Sequence, residues 1–322
     1  MPSCVRCSRE LSSSSGETTL CRDCRADVGL GVPSNEPASR PPVRNGQPFL
    51  LTQVIVGINV LVFLAMVLSG VSPMSPTRLQ LGTWGATFAP LSLGSQPWRM
   101  LASNYVHIGV IHIFFNMWCL WNLGRLAERI FDRWTYLLVY TASGIAGSLA
   151  SLWWHPQGIG AGASGAIFGL AGGLIAVLYL GKLPMAKEAL KPTLKSLVTF
   201  AAYNLFFGLV PGIDNAAHLG GLAAGLALGA ILAGSVTGSP EIRARWRNYA
   251  LVGTTLLLFA GYSYLKQKSG STPTLNSRQN NLSSRLERSE ASAMEGPCDF
   301  ANAETRLGRC RARNDAKANL RR

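Results

Sequence analysis

Ala217-His218-Leu219-Gly220-Gly221-Leu222-Ala223-Ala224-Gly225 sets one ionisable side chain at the head of a run of small and apolar residues. The run 216–236 carries no Asp, Glu, Lys or Arg, and ~20 mostly apolar residues suffice to cross a bilayer. An ionisable group inside such a span is costly, so His218 is a functional candidate. Gly221, Gly225 and Gly229 recur every four residues, and Gly165, Gly169 and Gly173 do the same within 159–180. Such glycine faces let two helix backbones approach closely. Packed against each other, the two spans bring His218 toward Ser164 of Gly162-Ala163-Ser164-Gly165.

Working outward, five more segments read as membrane spans: 49–70, 107–124, 134–154, 196–210 and a shorter seventh at 249–265. The stretch 71–105 holds Pro73, Pro76, Pro90 and Pro97 with Trp84, Phe88 and Trp98. That mixture suggests a loop lying at the membrane interface. Composition agrees. Only 14% of the 322 residues are charged and 48% are hydrophobic, whereas a soluble domain carries about 25% charged residues. The net charge of +14 suits an anionic membrane surface better than nucleic acid at this hydropathy, and no nucleic-acid partner is expected. No apolar signal-peptide region opens the chain, so the first span is expected to act as an uncleaved anchor.

Orientation follows from Lys and Arg in short loops. Arg40 and Arg44 precede the first span. Arg125, Arg129 and Arg133 follow the second. Lys182, Lys187, Lys191 and Lys195 follow the fourth, and Arg243, Arg245 and Arg247 the sixth. The alternate connections carry only Arg78 and Arg99. The N-terminus is therefore expected in the cytoplasm, in an integral protein of a bacterial inner (plasma) membrane. The active groups and the tail then lie on the outer side.

Cys4-x-x-Cys7 and Cys21-x-x-Cys24 form two knuckles of the kind whose four thiolates bind zinc tetrahedrally. A piece this small has little core of its own, so a structural Zn would hold it together. Two disulfides are the alternative, disfavoured by a reducing cytoplasm. The module leaves room for a protein partner. Cys298 and Cys310, on the expected outer side, are candidates to pair with each other, and Cys119 reads as a packed core residue.

His112 and Asn116 stand four apart on one face of the second span. Topology puts them, Ser164 and His218 at similar depth near the outer ends of their helices. A serine needs an adjacent base to become a nucleophile, and the tetrahedral intermediate needs donors. The Ser164 N–H, His112 and Asn116 can supply them. The hydroxyl is approachable because Gly162 and Gly165 flank it. Asp214 lies four residues before His218, and a two-residue Ser164–His218 dyad is the simpler reading.

Together these residues resemble the rhomboid family of intramembrane serine proteases. The likeness runs from about 49 to 236. It includes Trp98-Arg99, His107, His112-Ile113-Phe114-Phe115-Asn116, Gly124, Glu128, Gly162-Ala163-Ser164-Gly165, Ala217-His218, Gly221 and Gly225. The resemblance implies a six-helix core, a Ser164–His218 dyad in a water-filled cavity open to the outer side, and an oxyanion hole from Ser164 N–H, His112 and Asn116. It implies a first loop held by contacts around Arg99 and Glu128, with His107 supporting structure. Phe168, where a tyrosine is frequent, would pack on the His218 ring. The implied substrates are single-span membrane proteins cut near their outer ends, with no cofactor for catalysis.

The expected architecture is an all-α polytopic membrane protein. It comprises a zinc-ribbon-like module (1–27), a linker (28–48), the rhomboid six-helix core (49–236), a cytoplasmic loop with the seventh transmembrane helix (237–265), and a basic, weakly ordered tail (266–322). Three other readings compete. A catalytically inactive relative that binds membrane clients is countered by the intact Ser164 and His218. A transporter is countered by the lack of a convincing internal repeat. A zinc-dependent regulator with a mere membrane anchor is countered by seven spans.

Overall fold

The computed structural model describes Cys4, residues 50–210 and residues 212–270. The linker, the tail and the other cysteines of the N-terminal module (Cys7, Cys21, Cys24), with Cys298 and Cys310, lie outside the described residues.

Within them the chain is helical: α1 (Leu50–Leu68), α2 (Arg78–Thr83), α3 (Ala89–Ser92), α4 (Arg99–Ala102), α5 (Val110–Ile130), α6 (Arg133–Trp154), α7 (Ser164–Leu180), α8 (Lys187–Phe207), α9 (Asn215–Leu232) and α10 (Pro240–Gly270). Among the described residues α1, α6 and α9 are long and apolar enough to cross a membrane by length and composition, and α7 is apolar but shorter. The other long helices carry charge near their ends: Arg125, Glu128 and Arg129 late in α5, Lys187, Lys191 and Lys195 early in α8, and in α10 Arg243, Arg245 and Arg247 early with Lys266 and Lys268 late.

Several ends differ from the sequence expectation. The second span runs to Ile130, the fifth starts at Lys187, and the seventh is one helix from Pro240 to Gly270, passing through the expected loop and beyond 265. The cause is common to all three. A helix satisfies its own backbone groups, so it need not stop where lipid gives way to water. The first loop also differs, because it contains α2, α3 and α4. Thr77 and Gln80 cap α2 reciprocally, a pairing that satisfies two free N–H groups.

The centre of the fold is α7, buried along almost its whole length and packed against α6 and α9. The glycine faces meet here. A Cβ on Gly221 would strike the Gly165 backbone, one on Gly225 the Gly169 backbone, and one on Gly229 the Gly173 backbone. On the other side of α7, a Cβ on Gly169 would strike the Ser143 side chain of α6. With no side chain between them, backbones approach to a distance that larger residues forbid. Leu120, Leu123, Tyr136, Val139, Tyr140, Leu170, Leu174 and Leu232 fill the surrounding core.

α10 lies against α6. At one end Arg247 Nη1 meets Asp132 Oδ1 at 3.2 Å and Arg243 approaches Oδ2 at 4.0 Å. Asp132 also caps α6 through the Trp134 and Thr135 N–H groups. At the other end Leu258, Tyr262 and Leu265 pack with Leu149 and Leu152 of α6 and with Ala89, Leu93 and Met100 of the first loop.

Candidate active site

Ser164 is the first residue of α7. The first N–H groups of a helix have no intrahelical partner, and the dipole there favours negative charge. The sequence reading ran the fourth span from 159. Instead residues 159–163 are not helical, and the helix begins at the serine itself. Gly160 is held out of the helix: its N–H and C=O both pair with Thr87 of the first loop, at 3.0 and 2.8 Å. Gly162 N–H donates to Ser103 O at 2.9 Å. Gly162 has φ +130°, and a Cβ there would lie 2.6 Å from His112 Cε1 and 2.9 Å from Nε2. Only glycine suits both the backbone and the space.

His218 is buried in the first turn of α9, and its N–H donates to Asp214 O at 3.2 Å. Its ring stacks on Phe168 with centroids 4.4 Å apart and an interplanar angle of 10°. Phe168 stands one turn after Ser164, so α7 supplies both the serine and the surface on which the imidazole rests. Ala217 and Gly165, the neighbours of His218 and Ser164, face each other: a Cβ on Gly165 would sit 3.4 Å from Ala217 O. His218 Nδ1 is buried with no protein partner.

His112 is half-buried near the start of α5. Its Nδ1 accepts the Ile108 N–H at 3.3 Å. A neutral imidazole that accepts at Nδ1 carries its proton on Nε2. That nitrogen faces Gly162, beside the serine. Asn116 donates one amide N–H to His112 O at 2.9 Å, which leaves its second amide N–H and a buried, unpartnered Oδ1. His107 lies 5.4 Å from the His112 ring, centroid to centroid, and its Nδ1 donates to Tyr105 O at 3.3 Å.

The resemblance implies a first loop held by contacts around Arg99 and Glu128; Arg99 bonds within that loop, and Glu128 bonds to the start of α1. Arg99 is buried in the loop, where its guanidinium donates to the Gly82 and Ala86 carbonyls and to Gln96 Oε1. Glu128 lies 16 residues beyond His112 on α5, about 24 Å along the helix. There it accepts the Thr52 N–H at 2.6 Å and holds the first turn of α1.

A small cavity opens beside the serine, lined among others by Ser103, Ser148, Ser151, Ser164, Asp214 and Ala217. Nothing local in the sequence singles out Ser103 of the first loop or Ser148 and Ser151 of α6. Gly144, Ser148 and Ser151 fall on one face of α6, and Ser103 joins them across a 3.3 Å contact between its hydroxyl and that of Ser148. Among the described residues no group of three His, Cys, Asp or Glu is arranged to hold a metal ion.

The rhomboid domain family model matches residues 94–235. The chain is similar to the rhomboid protease GluP of Bacillus subtilis (strain 168), 32% identical over 222 residues, which are 69% of this chain and 41% of that protein. It is similar to RHOMBOID-like protein 4 of Arabidopsis thaliana, 37% identical over 160 residues, 49% of this chain and 40% of that protein. It is also similar to the rhomboid protease AarA of Providencia stuartii, 32% identical over 198 residues, 54% of this chain and 69% of that protein. The chain thus spans about two-fifths of the length of the first two relatives.

Proposed function

The chain belongs to the rhomboid family of integral membrane proteins, and from that premise we propose that it is a serine endopeptidase that hydrolyses peptide bonds of single-span membrane proteins inside the bilayer. Ser164 is the nucleophile and His218 the base. The observation that carries this reading is the close packing of α7 on α9, which sets the serine at a helix N-terminus one residue from contact with the histidine-bearing turn.

The Ser164 Oγ attacks the scissile carbonyl carbon while His218 takes the hydroxyl proton. The carbonyl oxygen becomes an oxyanion, met by the Ser164 N–H, the His112 Nε2–H and the second N–H of the Asn116 amide. Collapse breaks the C–N bond, and the imidazolium returns its proton to the leaving amine. Water, deprotonated by the same imidazole, then cleaves the acyl ester and regenerates Ser164. The polar cavity wall of Ser103, Ser148 and Ser151 gives that water hydrogen-bonding partners in an otherwise apolar surround. The substrate must arrive as extended chain, because a helical peptide bond has its groups already paired. Catalysis on this scheme uses no cofactor.

The N-terminus belongs to the cytoplasmic side on this reading, six helices form the core with α10 as a seventh span, and Cys4, Cys7, Cys21 and Cys24 hold a structural Zn in a module that serves a protein partner or only its own folding. The basic residues late in α5 and early in α8 and α10 support that orientation, since chain direction brings these three ends to one side, against only Lys266 and Lys268 at the far end of α10.

Cleavage of a single-span substrate in proteoliposomes tests the dyad. Wild type is expected to cut, and Ser164→Ala and His218→Ala to lose ~10³-fold or more of the rate. Cleavage by Ser164→Ala at the wild-type rate would refute the mechanism.

A further inference from the structure

The cavity beside Ser164 contains one carboxylate, Asp214. Its two oxygens have different tasks. Oδ1 accepts the Ala217 N–H at 3.0 Å, which caps α9. Oδ2 accepts the Ser151 hydroxyl of α6, 63 residues earlier in the chain. Capping needs only one oxygen, so the second bond does something else: it ties the first turn of α9 to a neighbouring helix.

The surroundings give that tie leverage. α6 and α9 approach closely here; a Cβ on Gly147 would sit 2.7 Å from Ala217 O, and one on Gly220 would sit 2.5 Å from the Ala150 Cβ and 3.0 Å from Ala146 O. Ser151 is one turn beyond Gly147 on the same face of α6 and is itself buried. The His218 N–H closes its helical bond on the Asp214 carbonyl. The rotation of α9's first turn is thus set by Asp214 on one side and by the Phe168–His218 stack on the other. Asn215, next in sequence, ties to a different helix by donating to Leu205 O of α8 at 3.0 Å.

We propose that Asp214 is a positioning residue for His218, holding the first turn of α9 against α6 through Ser151 so that the imidazole keeps its place beside Ser164. The inference rests on the dyad reading above. A displacement of about 1 Å at a reacting group can cost ~10²-fold in rate, so a loosened first turn lowers turnover even with Ser164 and His218 both in place.

The test uses the full chain in proteoliposomes with a single-span substrate. It compares Asp214→Ala, Asp214→Asn, Ser151→Ala and the Ser151→Ala/Asp214→Ala double variant. The readouts are kcat, KM, the rate at which a fluorophosphonate labels Ser164, and the thermal midpoint. Asp214→Ala is expected to lower kcat and labelling ~10–100-fold with KM within about twofold. Asp214→Asn, which keeps a capping oxygen and a fold like wild type, recovers most of the loss. Ser151→Ala moves in the same direction by less, and the double variant is no worse than Asp214→Ala, because both remove one tie. Wild-type kcat in Asp214→Ala, a loss confined to KM, or losses that multiply in the double variant would each overturn the inference. If Ser164→Ala and His218→Ala are dead while Asp214→Ala is intact, this inference alone fails. If they cleave as wild type does, the dyad reading fails with it.

Discussion

α9 and α8 are consecutive helices of similar length that meet the rest of the molecule in opposite ways. α9 lies backbone to backbone on α7, with Gly221, Gly225 and Gly229 against Gly165, Gly169 and Gly173. α8 buries only Leu190, Leu197 and Ala201 and turns Val198, Tyr203, Phe206 and Phe207 outward. Interlocked backbones have few alternative arrangements, whereas a helix held by a handful of side chains can tilt at little cost. The proposed dyad, Ser164 and His218, sits in the first kind of packing.

The sharpest way to break this contrast is at the glycine just before α7. Gly162→Ala puts a Cβ into the His112 ring and onto a left-handed backbone. It is expected to cost at least the ~10²-fold in kcat that a lost oxyanion donor costs, read in the proteoliposome assay. The next test is Gly225→Val, whose branched side chain would meet the Gly169 backbone. A destabilisation of about 3 kcal/mol is expected from overpacking, read by thermal unfolding in detergent. A wild-type midpoint would mean that α7 and α9 are further apart than described. The smallest effect is expected on α8. Tyr203→Ala, outward-facing and 61% exposed, should change stability by no more than about 0.5 kcal/mol. A loss as large as that of Gly225→Val would erase the distinction between the two helices.

The same contrast explains what sequence could reveal. Polar residues inside spans are conspicuous because lipid makes them costly, so Ser164, His218, His112 and Asn116 stand out one by one. The fourfold glycine spacing adds which helix faces which. Helix ends are another matter. Hydropathy marks where charges begin, and α5, α8 and α10 run on past those charges as ordinary helix. The short helices α2, α3 and α4 escape notice because prolines and glycines read as loop, while what orders them is the buried Arg99 guanidinium bonded to the Gly82 and Ala86 carbonyls. Asp214 was visible only as a residue near His218. Its bond to Ser151 joins positions 63 apart, and no local pattern encodes a partner at that distance.

α10 touches both ends of the assembly: Arg243 and Arg247 at Asp132, and Leu265 beside Leu93 and Met100 in the first loop. It is also the last of these helices to leave the ribosome. The elements bearing Ser164 and His218 are synthesised and can pack before α10 exists, while the first loop must wait for one of its neighbours until α10 has emerged. Folding would then include a late step, in which arrival of α10 completes the packing around the loop that pairs with Gly160, a few residues ahead of the serine.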